Sequence, residues 1–240
     1  MERLDKFLAS QNIGSRKDVQ KLIRTKSVCV NGELCTKPET KIDEQNDAVT
    51  VNGQAVNYKK YIYIMMNKPA GVVSATTDNH DKTVIDILPK EYQRKGLFPA
   101  GRLDKDTEGL LIITDDGDFA HRMLSPKKHV EKTYIAKLDK PINDETVKSF
   151  EKGIIFADGT KCMPAKLESV PDSDNMTAKV TICEGKFHQV KKMFLSCGIN
   201  VVHLQRISIG NLYLDSKLPI GSCKLLTILD KELIFIGNIH

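Results

Sequence analysis

Near the N-terminus apolar residues recur with a helical period. Leu4, Phe7 and Leu8 lie at i, i+3 and i+4, and Val19, Leu22 and Ile23 repeat that spacing, which predicts two short amphipathic helices. Ser15-Arg-Lys-Asp18 reads as a capping box opening the second, since the serine side chain can accept from an orphan amide while the aspartate reaches back. The period then drops to two. Val28-Cys-Val-Asn-Gly32 and Val49-Thr-Val-Asn-Gly53 alternate in polarity and each closes on Asn-Gly, the signal of a tight hairpin turn. Two helices and a small strand set within about sixty residues make one compact module, placed at residues 1–58.

Residues 58–63 form a polar-aromatic bridge into a second, larger domain, placed at 59–240. Strands are predicted over 61–66, 110–114, 133–138, 177–183, 201–204 and 212–214. Short helices are predicted over 118–124, over 144–151 behind an Asn143 cap and ended by Gly153, and over 188–197 ahead of Gly198. Strands outnumber helices and do not alternate with them regularly. The pattern predicts an α+β fold on a mixed, mainly antiparallel sheet rather than a doubly wound one.

Composition narrows the class. With 40% hydrophobic and 28% charged residues the chain can build a core, which excludes global disorder. No run approaches the roughly 18–20 apolar residues of a bilayer span, and Met1 to Ser10 lacks the apolar core of a signal peptide, so the cytoplasm is the expected compartment, with no membrane partner. The six cysteines are scattered with no C-x-x-C pair, and the six histidines show no metal-ligand spacing, so reduced thiols and no metal site are expected. A formal charge of +5 permits a polyanionic partner without demanding one, but its distribution is uneven. Residues 1–26 hold seven Lys or Arg against three acids; residues 27–57 hold two against five. Arg16, Lys17, Lys21 and Arg24 gather on the second helix, with Arg16 and Lys17 in a first turn where the helix dipole disfavours cations. Phosphates docking there would offset that cost, although a solvated helical face explains the pattern equally well.

The densest candidate for chemistry is Gly101-Arg102-Leu103-Asp104-Lys105-Asp106-Thr107-Glu108-Gly109, a charged turn leading into the apolar run Leu110 to Ile113. A carboxylate there would sit at a strand end, beside the core and within reach of a ligand; a polar surface loop is the plain alternative. Asp104, Asp106 and Asp115 nearly match a calcium-binding EF-hand loop, but Pro99 and Gly101 deny it the entering helix. Tyr134, opening a strand among charges, suits a base-stacking platform as well as a half-buried strand position. Lys191 lies in the first turns of the helix that follows Gly185.

Taken together these stretches resemble two known families. R-L-D-K-F-L, S-R-x-x-x-x-x-L-I and V-x-V-N-G are similar to the S-four-like RNA-binding domain, with one departure: Lys26 stands where that family usually has glycine. If the helix ends there in a left-handed turn, a side chain costs up to about 1 kcal/mol, or else the turn is reshaped and Lys26 adds a phosphate contact. G-R-L-D-x-D-T-x-G-L, K-T-Y and E-G-x-x-H-Q-V-K, with N-K-P-A-G-V-V-S (67–74) and R-I-S-I-G-N-L (206–212), resemble the RsuA branch of bacterial pseudouridine synthases. The resemblance covers almost the whole chain. It implies isomerisation of a uridine in ribosomal RNA, without cofactor or metal. Asp104 is then the essential carboxylate and Lys191 its ionic partner, holding it ionised; Tyr134 stacks on the base and assists removal of the C5 proton. Arg102 fills the space the flipped base vacates, and Leu204 is either pocket wall or plain core. Arg16, Lys17, Lys21 and Arg24 grip phosphates. Residues 82–88 and 124–130 look closer to the small-subunit enzymes, which makes a monomer acting on small-subunit RNA within a pre-ribosomal assembly intermediate the expectation. Large-subunit RNA, or a non-catalytic assembly factor, are the alternatives.

Overall fold

A computed structural model describes residues 1–125 and 128–236, so Pro126 and Lys127 of the 124–130 segment lie outside the described residues. The chain divides into two compact units: Met1–Tyr61 with Leu88–Leu97, and Ile62–Ile87 with Phe98–His240.

In the first unit, β1 (Glu2–Arg3) leads into α1 (Leu4–Ser10) and α2 (Arg16–Arg24), followed by β2 (Val28–Val30), β3 (Glu33–Leu34), β4 (Lys41–Ile42), β5 (Val49–Val51) and β6 (Gln54–Ala55). Leu4, Phe7 and Leu8 of α1 pack with Val19 and Ile23 of α2 and with Val28, Ile42 and Val49 in one apolar core. The capping box is formed: Asp18 N–H donates to Ser15 Oγ while the Asp18 carboxylate accepts from Ser15 N–H. Four strands pair in the order β3-β2-β5-β6. Both Asn-Gly pairs take positive φ, at 52° and 85° for Asn31 and Gly32 and at 50° and 78° for Asn52 and Gly53, the mirror-image turn that matches strand twist. Helix α2 ends in a Schellman turn, with Ser27 N–H donating to Leu22 O and Lys26 N–H to Ile23 O. Lys26 sits at φ 60°, so the turn keeps its left-handed form despite the side chain.

The second unit runs β7 (Tyr63–Lys68), β8 (Phe98–Ala100), β9 (Glu108–Thr114), α3 (Gly117–Leu124), β10 (Lys132–Leu138), α4 (Asp144–Lys152), β11 (Lys166–Ser169), β12 (Thr177–Ile182), α5 (Gln189–Ser196), β13 (Val201–Ile209), β14 (Leu212–Tyr213), β15 (Cys223–Leu225) and α6 (Ile228–Leu233). Its sheet orders β11-β12-β10-β13-β9-β7-β15, with β14 on β13 and β8 on β9. Every pairing in it is antiparallel except β13 with β9. The expected α+β, mainly antiparallel architecture is therefore present. Asp116 caps α3 and Asn143 caps α4, each accepting from the amide three residues on. Strand β13 is longer than the expected 201–204, because pairing with β10 along most of its length carries its polar residues into the sheet. Strands β8, β11 and β15 have no counterpart in the periodicity. They are short, and Pro99 places β8 at an edge, where a missing donor is tolerated.

Candidate active site

The loop from Gly101 to Thr107 connects β8 to β9, strand to strand rather than from an entering helix. Three residues of the segment before it hold it, Ser74 and Lys68 buried and Gly71 exposed. Ser74 Oγ accepts from Leu103 N–H at 3.0 Å and donates to Leu103 O at 2.9 Å. Gly71 N–H donates to Lys105 O at 2.8 Å. Lys68, at the end of β7 and fully buried, donates from Nζ to Thr107 O at 2.8 Å, to Asp104 O and Pro69 O at 3.0 Å, and to Lys105 O at 3.3 Å. Burial pulls its ammonium down to about 8. Within the loop, Thr107 N–H closes a turn onto Asp104 O at 3.1 Å.

This scaffold presents the Asp104 carboxylate to α5. Lys191 Nζ lies 3.3 Å from Asp104 Oδ2, and His188 Nε2 lies 3.6 Å from Asp104 Oδ1. The closest bond Lys191 makes is to Asp106 Oδ1, at 2.5 Å, and this bond holds the Asp106 carboxyl below the usual carboxylate range. One lysine thus bridges two carboxylates, one of them exposed and the other partly sheltered.

Gly109 opens β9 at φ 102°, where an added Cβ would meet Arg206 O at 2.2 Å; only glycine permits this close parallel approach of β13. Arg206 faces Gly109 on one side and Tyr134 on the other, so Tyr134, Arg206 and Gly109 form one row across three strands. The row ties the tyrosine to the strand that the Asp104 loop feeds. Tyr134 is 8% exposed, with the Arg206 guanidinium 6.0 Å from its ring centre and bonded through Nε to Leu110 O at 2.7 Å. Leu204 lies two residues before Arg206, hence on the same face, buried and paired with Ala136. Arg102 is exposed beside Asp104. Lys132 of the K-T-Y stretch is buried, donates to Val130 O at 2.8 Å and is lowered to about 8 by burial.

In the first unit Arg16, Lys17, Lys21 and Arg24 are all exposed along α2. Arg16 has a second role: with Arg3 and Gln20 it surrounds the fully buried Asp5, donating to Oδ2 at 3.3 Å. The Arg3 guanidinium, bonded to both oxygens, holds the Asp5 carboxyl far below the usual range.

Sequence reasoning passed over Asp5, Lys68, Ser74, Asp106, His188 and Arg206. The signal available for Lys68 was a cation at the end of an otherwise apolar strand, and for Asp5 an acid on the apolar side of a helix.

A carboxylate at a strand entry, paired with a helix-borne lysine and backed by a tyrosine row, is an arrangement for charged chemistry on a ligand placed over the sheet end. The family model described as RNA pseudouridylate synthase matches residues 62–196, and that of the S4 domain matches residues 2–49. The chain belongs to the RNA pseudouridylate synthase family, enzymes that isomerise uridine in RNA. A Bacillus subtilis protein described as an uncharacterized RNA pseudouridine synthase is 46% identical over 226 residues, covering 94% of this chain and 95% of its own. Ribosomal small subunit pseudouridine synthase A of Escherichia coli is 38% identical over 226 residues, covering 94% and 96%. A crystal structure of a pseudouridylate synthase superposes with a TM-score of 0.67 at 34% identity, covering 98% of this chain and 100% of that one. Among the described residues no helix is long and apolar enough to cross a membrane.

Proposed function

We propose that this enzyme converts one uridine of small-subunit ribosomal RNA to pseudouridine, with Asp104 as the essential carboxylate. The observation that carries the reading is the Asp104 carboxylate at the entry of β9, 3.3 Å from Lys191 and on a loop locked by Lys68 and Ser74. The reaction breaks the bond between ribose C1′ and uracil N1, turns the base, and forms a bond from C1′ to C5; N1 gains a proton and C5 loses one. Asp104 acts on the ribose either by attack at C1′ or by removing a ribose proton. Both roles need the ionised carboxylate, and Lys191 places a cation beside it. Tyr134 stacks on the uracil and assists loss of the C5 proton. Arg102, exposed beside Asp104, fills the stack the uridine leaves, and Leu204 lines the pocket. Neither cofactor nor metal has a part in this balance.

Residues 1–58 then act as the phosphate-gripping module, through Arg16, Lys17, Lys21 and Arg24, and residues 59–240 as the catalytic domain. The names of the Escherichia coli and Yersinia pestis relatives, both small-subunit synthases, support the choice of RNA. A pre-ribosomal intermediate is the substrate, met in the cytoplasm by a monomer. The test is mapping of carbodiimide-dependent reverse-transcriptase stops in cells carrying either the wild type or Asp104→Asn. One stop lost from small-subunit RNA is expected, with folding and RNA affinity of the variant unchanged. A stop lost from large-subunit RNA would move the target, and stops unchanged in both would overturn the catalytic reading.

A further inference from the structure

Beside Asp104 stands an aromatic pair that the reading above leaves unused. Phe187 and His188 stack with ring centres 3.8 Å apart and 20° between planes. The His188 ring reaches Asp104 at 3.6 Å, so the stacked pair adjoins the carboxylate through His188. Phe187 is 72% exposed. Single exposed apolar residues are ordinary, so exposure alone decides nothing. Three further observations set this one apart.

The first is the loop's construction. Glu184 is buried, accepts from Met163 N–H at 2.9 Å and Gln189 Nε2 at 2.7 Å, and pairs with Lys186; Gln189 Oε1 in turn accepts from Lys186 N–H at 2.8 Å. Both ends of the hexapeptide are thus anchored, and the two rings between them project from a fixed base. The second is strain: His188 is left-handed, at φ 54° and ψ 33°, a conformation costing a non-glycine residue about 1 kcal/mol or more. Strain of this kind persists where the surroundings over-determine it, here in a residue that joins Phe187 to the carboxylate. The third is charge. Lys192 Nζ lies over the Phe187 ring, 5.2 Å from its centre, and over that of the buried Phe156 at 5.5 Å, so a cation is already held against the exposed ring. Base stacking on an aromatic face with a neighbouring cation for the phosphate is the general way in which proteins hold unpaired nucleotides.

We infer that Phe187, stacked on His188, is the platform for the nucleobase next to the reacting uridine, and so a specificity-determining residue for the isomerisation. The inference rests on the assignment of RNA pseudouridine synthase activity. When the neighbouring base stacks on Phe187, Lys192 swings to that nucleotide's phosphate, and the uridine is held at a set distance from Asp104.

The chain contains no tryptophan, so Phe187→Trp places a single tryptophan at the platform, excited selectively over the tyrosines. In an Asp104→Asn background, which prevents turnover, titration with in vitro transcribed small-subunit ribosomal RNA should quench that emission. Tyr213→Trp, at another exposed position, should not respond. In the otherwise wild-type enzyme, tritium release from RNA labelled at uridine C5 should show KM raised about tenfold or more by Phe187→Ala, with kcat within about twofold, and near-normal KM for Phe187→Trp. Equal KM for Phe187→Ala and wild type, a loss confined to kcat, or an emission that saturating RNA leaves unchanged would each overturn the platform. A wild type that binds RNA but releases no tritium would instead strike at the assigned activity, while the quenching arm still reports on the platform.

Discussion

Four backbone carbonyls take the Lys68 ammonium, and two of them have other donors: Asp104 O from Thr107 N–H, and Lys105 O from Gly71 N–H. Replacing Lys68 by methionine removes all four contacts, including the buried one to Thr107 O. At about 1–3 kcal/mol for each buried acceptor left unsatisfied, the loss of one or two would make Lys68→Met cost about 1–6 kcal/mol in urea unfolding, and most of the activity should go as the Asp104 loop loses its support. The pH dependence has a definite sign. Between about 8 and 10.5 the unfolded chain keeps a proton that the folded lysine has released, so this group's contribution to stability rises with pH across that window. Below about 8 both states hold the proton and the cost of burying charge is felt in full. The stability gap between wild type and Lys68→Met should therefore widen from about pH 8 to about pH 10; a constant gap would mean that Lys68 titrates as in the unfolded chain. At this scale the sequence offered Asp104 and Lys191 as candidates, both of them partly exposed. It did not decide the burial of Lys68, Arg206 or Asp5, because burial of a charge depends on partners that are distant along the chain or on which face of an element turns inward.

Helix ends are written locally, and the Ser15 and Asn143 caps were read, while that of Asp116 was not. Ser15, Asp116 and Asn143 accept from the amides that a cap should satisfy, since cap and amide lie within three residues. The end of α2 departs from the usual glycine, and its Schellman turn forms with Lys26 at φ 60°. Lys26→Gly should therefore stabilise the first unit by up to about 1 kcal/mol, read as a higher thermal midpoint. A lower midpoint would show that the Lys26 side chain contributes more than its backbone conformation costs. Strands were harder than helices. β12 alternates cleanly and was found, and so was β10, whose alternation begins at Tyr134, whereas β13 holds His203, Gln205 and Arg206 in its middle and was cut short. Its extent is set by β10 and β9 on either side, and neither pairing is a local property.

The whole molecule adds two things. Leu88–Leu97 folds with the N-terminal unit, where Arg94 donates to the carbonyls of Lys59 and Lys60 and Asn12 to that of Lys90. A boundary drawn from composition at residue 58 carries no sign of it. The exposed cations of α2 form the second feature. Converting Lys17 and Lys21 together to glutamate should weaken RNA binding across sequences and reduce the slope of log affinity against log salt by about two or more. An unchanged slope would place the phosphate grip elsewhere on the surface. Because Arg16 also neutralises the buried Asp5, its replacement would confuse lost affinity with lost stability, and the two lysines make the cleaner test.

By itself the sequence determined helices α1 to α5 with the Ser15 and Asn143 caps, the Asn-Gly hairpins, the α+β class and the residues able to carry charged chemistry, because each follows from side chains a few positions apart. Only the tertiary structure decided which strands are neighbours, that Lys191 bridges Asp104 and Asp106, and that Tyr134, Arg206 and Gly109 share one row. It also decided that Lys68 grips the loop from below. Those relations join residues up to 97 positions apart, Arg206 and Gly109 among them, and exist only once the sheet has closed the distance between them.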